Sequence, residues 1–319
     1  MAATPTRRMA AVTVLVPVVV ALALWAFAWP AARIAPRDVP LGVAGPAAAA
    51  EQVERRFEER AGAFEVHRYE DEPAARAAVE DRVVYGAVVL QPEGPTLLTA
   101  PAASPVVAQL LEEAVAGSAP DGAQVQVEDV VPLPSRDPRG SALAASVLPL
   151  GLAGVAAGAL VTLLHLRGMR SAAALMGASL LVGITATAIA HSWLGVLDGN
   201  WWAEAGALGL TVLAIGASVA GLAALVGTAG IGLGALLMIL IGNPFSGAAS
   251  APELLPEPAG TIGQWLPPGA GTWLLRSVAY FDGHATGSAL LTLSLWAGLG
   301  LTAILLGGQL RRAPAPAKA

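Results

Sequence analysis

The chain has no cysteine, which removes disulfide frameworks, thiolate nucleophiles, zinc–thiolate sites and iron–sulfur ligation together and leaves the redox compartment open. Charge is scarce: 13% of the 319 residues are Asp, Glu, Lys or Arg, and Lys318 is the single lysine. A net charge of -5 without a basic stripe excludes nucleic-acid binding, which needs arrayed cations to displace phosphate counterions. No GxxxxGK[ST] pattern occurs, so there is no P-loop. The histidines His67, His165, His191 and His284 are scattered, none with a second ligand at i+3 or i+4, and neither metal nor cofactor is expected. His191-Ser192 with Asp198 lies too close together on one chain for a catalytic triad, whose members need independent approach vectors, and no enzyme is expected.

Apolar residues are plentiful at 55%, more than one soluble core hides, so lipid must cover the rest. Crossing about 30 Å of hydrocarbon takes about 20 mostly apolar residues in a helix. Ala10–Trp29, Ala142–Leu166, Ala172–Gly195 and Gly287–Leu310 each meet that test. Ala205–Ile241 is uncharged throughout and too long for one crossing, which predicts two short helices turning at Gly227-Thr228-Ala229-Gly230. Six spans place Arg7, Arg8, Arg167, Arg170, Arg311, Arg312 and Lys318 on one side, with no acid. Asp198, Glu204, Glu253, Glu257 and Asp282 then lie opposite, with Arg276 the one base among them. Basic residues stay inside, so both termini are expected in the cytoplasm and the chain in the cell membrane. The spans themselves are then expected to hold no Asp, Glu, Lys or Arg. Arg7-Arg8 and the small Ala31-Ala32 also fit a cleaved signal peptide, against which stand the length of the run and the anchor-like Trp25 and Trp29.

Residues 31–140 differ in kind, with 10 arginines, 18 acids and apolar residues alternating with polar ones. Val39–Val43, Phe64–Tyr69, Val83–Leu90, Thr96–Thr99 and Val125–Val131 read as strands, and Ala47–Ala61, Pro73–Arg82 and Val106–Ala116 as helices. The order βαβαββαβ predicts an α/β domain with one mixed sheet. The expected class is a membrane all-α bundle of six transmembrane helices with an extracytoplasmic α/β domain inserted between the first and second. Its parts are 1–9 cytoplasmic, 10–30 the first span, 31–140 the domain, 141–242 spans two to five, 243–286 an outer segment, 287–310 the sixth span and 311–319 a cytoplasmic tail.

Small-xxx-small spacing at Gly154 and Gly158, and at Gly230 and Gly234, predicts close helix packing. The outer segment 243–286 is apolar and broken by Pro252, Pro256, Pro258, Pro267 and Pro268. Trp265, Trp273, Tyr280 and Phe281 fit headgroup anchors, and the segment reads either as dipping into the membrane or as a surface loop.

The chain resembles the ABC-2 type permeases, in particular the branch with the phage infection protein and related actinobacterial membrane proteins. The resemblance rests on a single N-terminal span, a following domain with Asp81-Arg82-Val-Val-Tyr85-Gly86-Ala-Val-Val-Leu90, and five clustered spans. It rests also on Gly242-Asn243-Pro244-Phe245-Ser246-Gly247 leading to Leu266-Pro267-Pro268-Gly269-Ala270, Leu275-Arg276-Ser277 and Tyr280-Phe281-Asp282-Gly283. It implies a permease, typically dimeric, that exports a lipid-like or drug-like molecule using a separate cytosolic ATPase. The expected ATPase contact is Arg167 and Arg170, and the expected outer gate Asn243, Pro244, Trp265, Pro267 and Arg276. A second reading is a non-transporting surface protein whose outer domain binds a partner; only Arg167–Ser171 links the second and third spans, which favours it.

Overall fold

The computed structural model describes residues 5–59, 62–92, 94–117 and 125–310. Arg311, Arg312 and Lys318, assigned above to the cytoplasmic tail, lie outside the described residues.

Between the first helix, α1 (Pro5–Ala31), and the remaining helices the chain forms β1 (Val39–Ala44), α2 (Ala47–Glu58), β2 (Phe64–Tyr69), α3 (Glu72–Glu80), β3 (Gly86–Gln91), β4 (Gly94–Thr99), α4 (Pro105–Ala116) and β5 (Gln126–Asp129). The expected βαβαββαβ order is present, in one five-stranded mixed sheet of order β2-β1-β3-β4-β5. β1 is parallel to β2 and β3, β3 antiparallel to β4, and β4 parallel to β5. With right-handed crossovers, α2 and α4 cover one face and α3 the other. Asp71 and Ser104 cap α3 and α4 by accepting from the N–H groups of Ala74 and Val107. Val39, Leu41, Val88, Leu97, Leu98 and Leu111 form the dry centre.

β3 begins three residues later than the apolar run suggested. Val83 is exposed and residues 81–85 form a turn, because Arg82 takes a left-handed backbone (φ 62°) that ends α3.

The helical part comprises α5 (Ser141–Leu163), α6 (Met169–Thr187, continued by π turns Ala188–Leu194), α7 (Trp201–Val226), α8 (Ala229–Ala235, continued by π turns Leu236–Gly242), α9 (Ala259–Gln264), α10 (Pro267–Tyr280) and α11 (Gly287–Leu310). Among the described residues five helices are long and apolar enough to cross a membrane: α1, α5, α6, α7 and α11. The long apolar run does break at Gly227, but unequally. Asn200 accepts from the N–H groups of Trp202 and Ala203 and starts α7 early, giving 26 residues, whereas the segment from Ala229 to Gly242 has 14 and extends about 21 Å.

α7 is the hub against which α5, α6, α8, α10 and α11 pack. Close approach explains its small residues. A Cβ on Gly158 would stand 2.5 Å from the Gly216 carbonyl, and one on Gly154 2.7 Å from Ile215. Gly230 and Gly234 press on the last turns of α7, at Leu222 and Val219. α1 stands apart, touching the rest near its last turn, where Trp25 stacks on Trp29 and Trp29 tilts against Phe245.

Candidate functional site

The α/β region and the segment 243–286 meet in a polar seam built from two stretches far apart in the sequence, 82–85 and 253–277. At the end of α3 the left-handed turn swings Arg82 away from the sheet and into the groove beside α10. Its guanidinium donates to the Trp273 carbonyl at 2.9 Å and the Ser277 hydroxyl at 2.7 Å. It also lies over the Trp273 ring, 3.6 Å from the centroid, with Phe281 at 5.2 Å. Arg82 Nε has no hydrogen-bond partner among the described residues. Burial lowers the Arg82 guanidinium to about 9, and Arg276 nearby pushes the same way.

Three residues on, the Tyr85 hydroxyl donates to Glu253 at 2.7 Å. Burial, together with the Glu253 carboxylate, raises the phenol well above its ordinary value, so it stays a neutral donor. Main-chain bonds continue the seam: the Ala35 N–H donates to the Leu254 carbonyl and the Arg37 N–H to that of Glu253. The Arg37 side chain donates to Leu254 as well. Ala251, Leu254 and Phe281 belong to the same apolar cluster as the strands.

The segment below the seam is compact. α10 starts at Pro267, whose missing N–H suits a first helical turn, and runs to Tyr280. Asn243 and Pro244 are half-buried, and the backbone of Phe245 lies against Gly263, where a Cβ could not fit. Trp265 is 68% exposed, and its carbonyl accepts from Trp296 of α11. Arg276 is 5% exposed and donates to the Ala248 carbonyl at 2.8 Å, fastening the loop to α10. Among the residues expected at the outer gate, Pro267 and Arg276 are therefore interior and Trp265 faces outward. Arg167 lies in the five-residue connection between α5 and α6 and Arg170 in the first turn of α6, both exposed at the far end of the bundle from the sheet.

Glu204 corrects one expectation. Read above as an outer-loop acid, it sits in the first turn of α7, fully buried within a helix long enough to cross the membrane. It accepts from the Gly199 N–H at 2.9 Å and pairs with His191 Nδ1 at 2.9 Å. The first turn of a candidate span thus holds a buried acid. Ser192 instead accepts from the Trp201 indole, and no His191–Ser192–Asp198 array forms. His284 pairs with Asp81 at 2.9 Å.

The helices and their packing define a multi-pass membrane protein with a five-stranded α/β region. The chain matches no protein-family model, no curated protein and no solved structure.

Proposed function

We propose that the protein is the permease subunit of an ABC-2 type exporter, moving a lipid-like or drug-like molecule outward with energy from a separate cytosolic ATPase. The observation that carries this reading is the Arg82 seam. The two stretches that resemble the family, 191 residues apart across the Arg82–Trp273 bond, are fastened together. A movement of α10 against α7 would thus be transmitted to the domain as a unit.

The same seam supports six crossings. Arg82 and Trp273 must lie on one side of the membrane, and between the sheet and residue 252 the chain passes through three long helices, α5, α6 and α7. An odd number of crossings changes sides, so the segment from Ala229 to Gly242 must return the chain. At about 21 Å it stops short of the roughly 30 Å of hydrocarbon, which fits the start of α10 dipping inward to meet it. Gly242 packs on Pro268 at that meeting. The α/β domain is then extracytoplasmic, both termini are cytoplasmic, and the bundle works in the cell membrane, as a dimer.

Detergent purification from native membranes with mass spectrometry of co-purifying proteins tests the reading. A nucleotide-binding protein recovered with wild type and lost on replacing Arg167 and Arg170 together by alanine supports it; repeated absence of any such protein overturns it. The second reading, a non-transporting surface protein whose outer domain binds a partner, is favoured by the α5–α6 connection, which is five residues long with no coupling helix. Deleting 37–138 should then abolish function while leaving no ATPase association to lose.

A further inference from the structure

At the end of the bundle away from the sheet, α5, α6, α7 and α11 leave a crevice of about 90 Å³. That is well above the ~10–15 Å³ that admits one water, and it has room for a group of several heavy atoms. Its polar lining is Arg167, His165, Ser171 and Thr162, the Thr162 hydroxyl already donating to the Gly158 carbonyl, and no Asp or Glu faces it.

Two features in it lack partners. Ser171 is 3% exposed, its hydroxyl makes no hydrogen bond among the described residues, and it lines the crevice. Gly168, the N-cap of α6, also lines the crevice and has no side chain with which to cap the first turn of the helix. A free serine donor, a guanidinium and an uncapped N-terminus of a 19-residue helix converge where an anion would be held.

The surroundings decide which anion. The crevice opens between helix ends, and the helices beside it expose Leu160, Leu163, Leu164, Met169, Leu225 and Leu306, all more than half exposed. A molecule with its charge in the crevice has apolar surface next to it on which chains can lie. A free anion or an acidic protein side chain would use none of that surface.

We propose that this crevice binds the phosphate of an anionic phospholipid, with Arg167 and Ser171 as the principal ligands and the acyl chains along α5 and α6. The proposal does not depend on transport. It requires only that these helices sit in a membrane.

The test is native mass spectrometry of the full-length protein, purified in neutral detergent and offered equal phosphatidylglycerol and phosphatidylcholine. Wild type should retain phosphatidylglycerol preferentially. Arg167→Gln should reduce that retention about tenfold, the loss of one charge-assisted contact, and Ser171→Ala should reduce it less. Arg170→Gln, which removes the same charge outside the crevice, should change it little. Thermal midpoints equal to wild type show that the variants are folded, and Ser171→Ala, which removes one hydroxyl, keeps the test open if Arg167→Gln fails to fold. Equal retention of both lipids, or retention unchanged in both variants, overturns the assignment. So does displacement of phosphatidylglycerol by millimolar inorganic phosphate, which marks a free-anion site, or an Arg167-dependent acidic protein partner with lipid retention unaltered.

Discussion

At Arg82 the chain accepts a left-handed backbone in a residue other than glycine, a cost of about 1–2 kcal/mol, and the side chain so aimed is buried against α10. The contacts that offset this are the two hydrogen bonds and the stack of the guanidinium over the Trp273 ring. Arg82→Ala leaves the Trp273 carbonyl and Ser277 unpaired beside a void, and should destabilise the seam by roughly 2–4 kcal/mol. The readout is faster hydrogen exchange in 81–85 and 251–254. Arg82→Lys keeps the charge but not the plane and should fall between the two; exchange equal to wild type would show that the stack contributes nothing. Glu204 makes a second case. Glu204→Gln retains an acceptor for the Gly199 N–H, whereas Glu204→Leu leaves both that donor and His191 without it, so thermal midpoints should rank wild type, then Gln, then Leu. Neither residue was readable as buried from the sequence. The partners of Arg82 lie 191 and 195 positions away, and Glu204 after two tryptophans looks like any acid at a span's outer mouth.

Among the elements, the strands and helices of the α/β region were legible because each carries its own period. Phe64–Tyr69 alternates, and α3 and α4 have polar caps and proline in the first turn. The unequal division of the long apolar run was not, since uniform hydropathy gives no phase and only the Asn200 cap fixes where α7 begins. Packing at glycine was legible in spacing. Gly158→Leu should force α5 from α7 at a cost of about 1–3 kcal/mol, read as a lowered midpoint in detergent. Gly177→Leu on α6, where an added Cβ meets nothing within 4 Å, should leave the midpoint unchanged, and equal effects of the two would refute close packing as the cause. On the sheet, Arg76 of α3 ties β5 down through Glu128, and that hydrogen bond holds the Glu128 carboxyl below its usual range. A depressed folded value means stability present above the ordinary carboxylate pKa and lost as pH falls through the lowered one. Amide exchange in β5 should therefore be flat from neutral pH down to about 5 and rise in acid, once the intrinsic rate is allowed for. In Glu128→Gln that added acid dependence should vanish, with the exposed position keeping the effect small.

For the whole molecule the decisive quantity is sidedness, and the absence of cysteine makes it directly measurable, because one introduced thiol reports without background. Charge bias and the seam argue for the same topology by independent routes. The first counts arginines in short loops; the second requires that two segments in contact share a compartment. They part company if α8 merely enters the membrane and turns back, for then residue 273 would face the side of residue 167 and the Arg82 seam could not form in a bilayer. Single cysteines replacing Val66 in β2, Thr261 in α9, Met169 at the start of α6 and Thr228 between α7 and α8 separate the cases when probed with a membrane-impermeant maleimide on intact cells. Positions 66 and 261 should label without permeabilisation, Val66 more slowly because it is half-buried, and positions 169 and 228 only after it. Labelling of 261 only after permeabilisation, with 66 labelled before, would break the parity argument and the exporter topology with it. The crevice of Arg167 and Ser171 would remain at the opposite membrane face from the sheet.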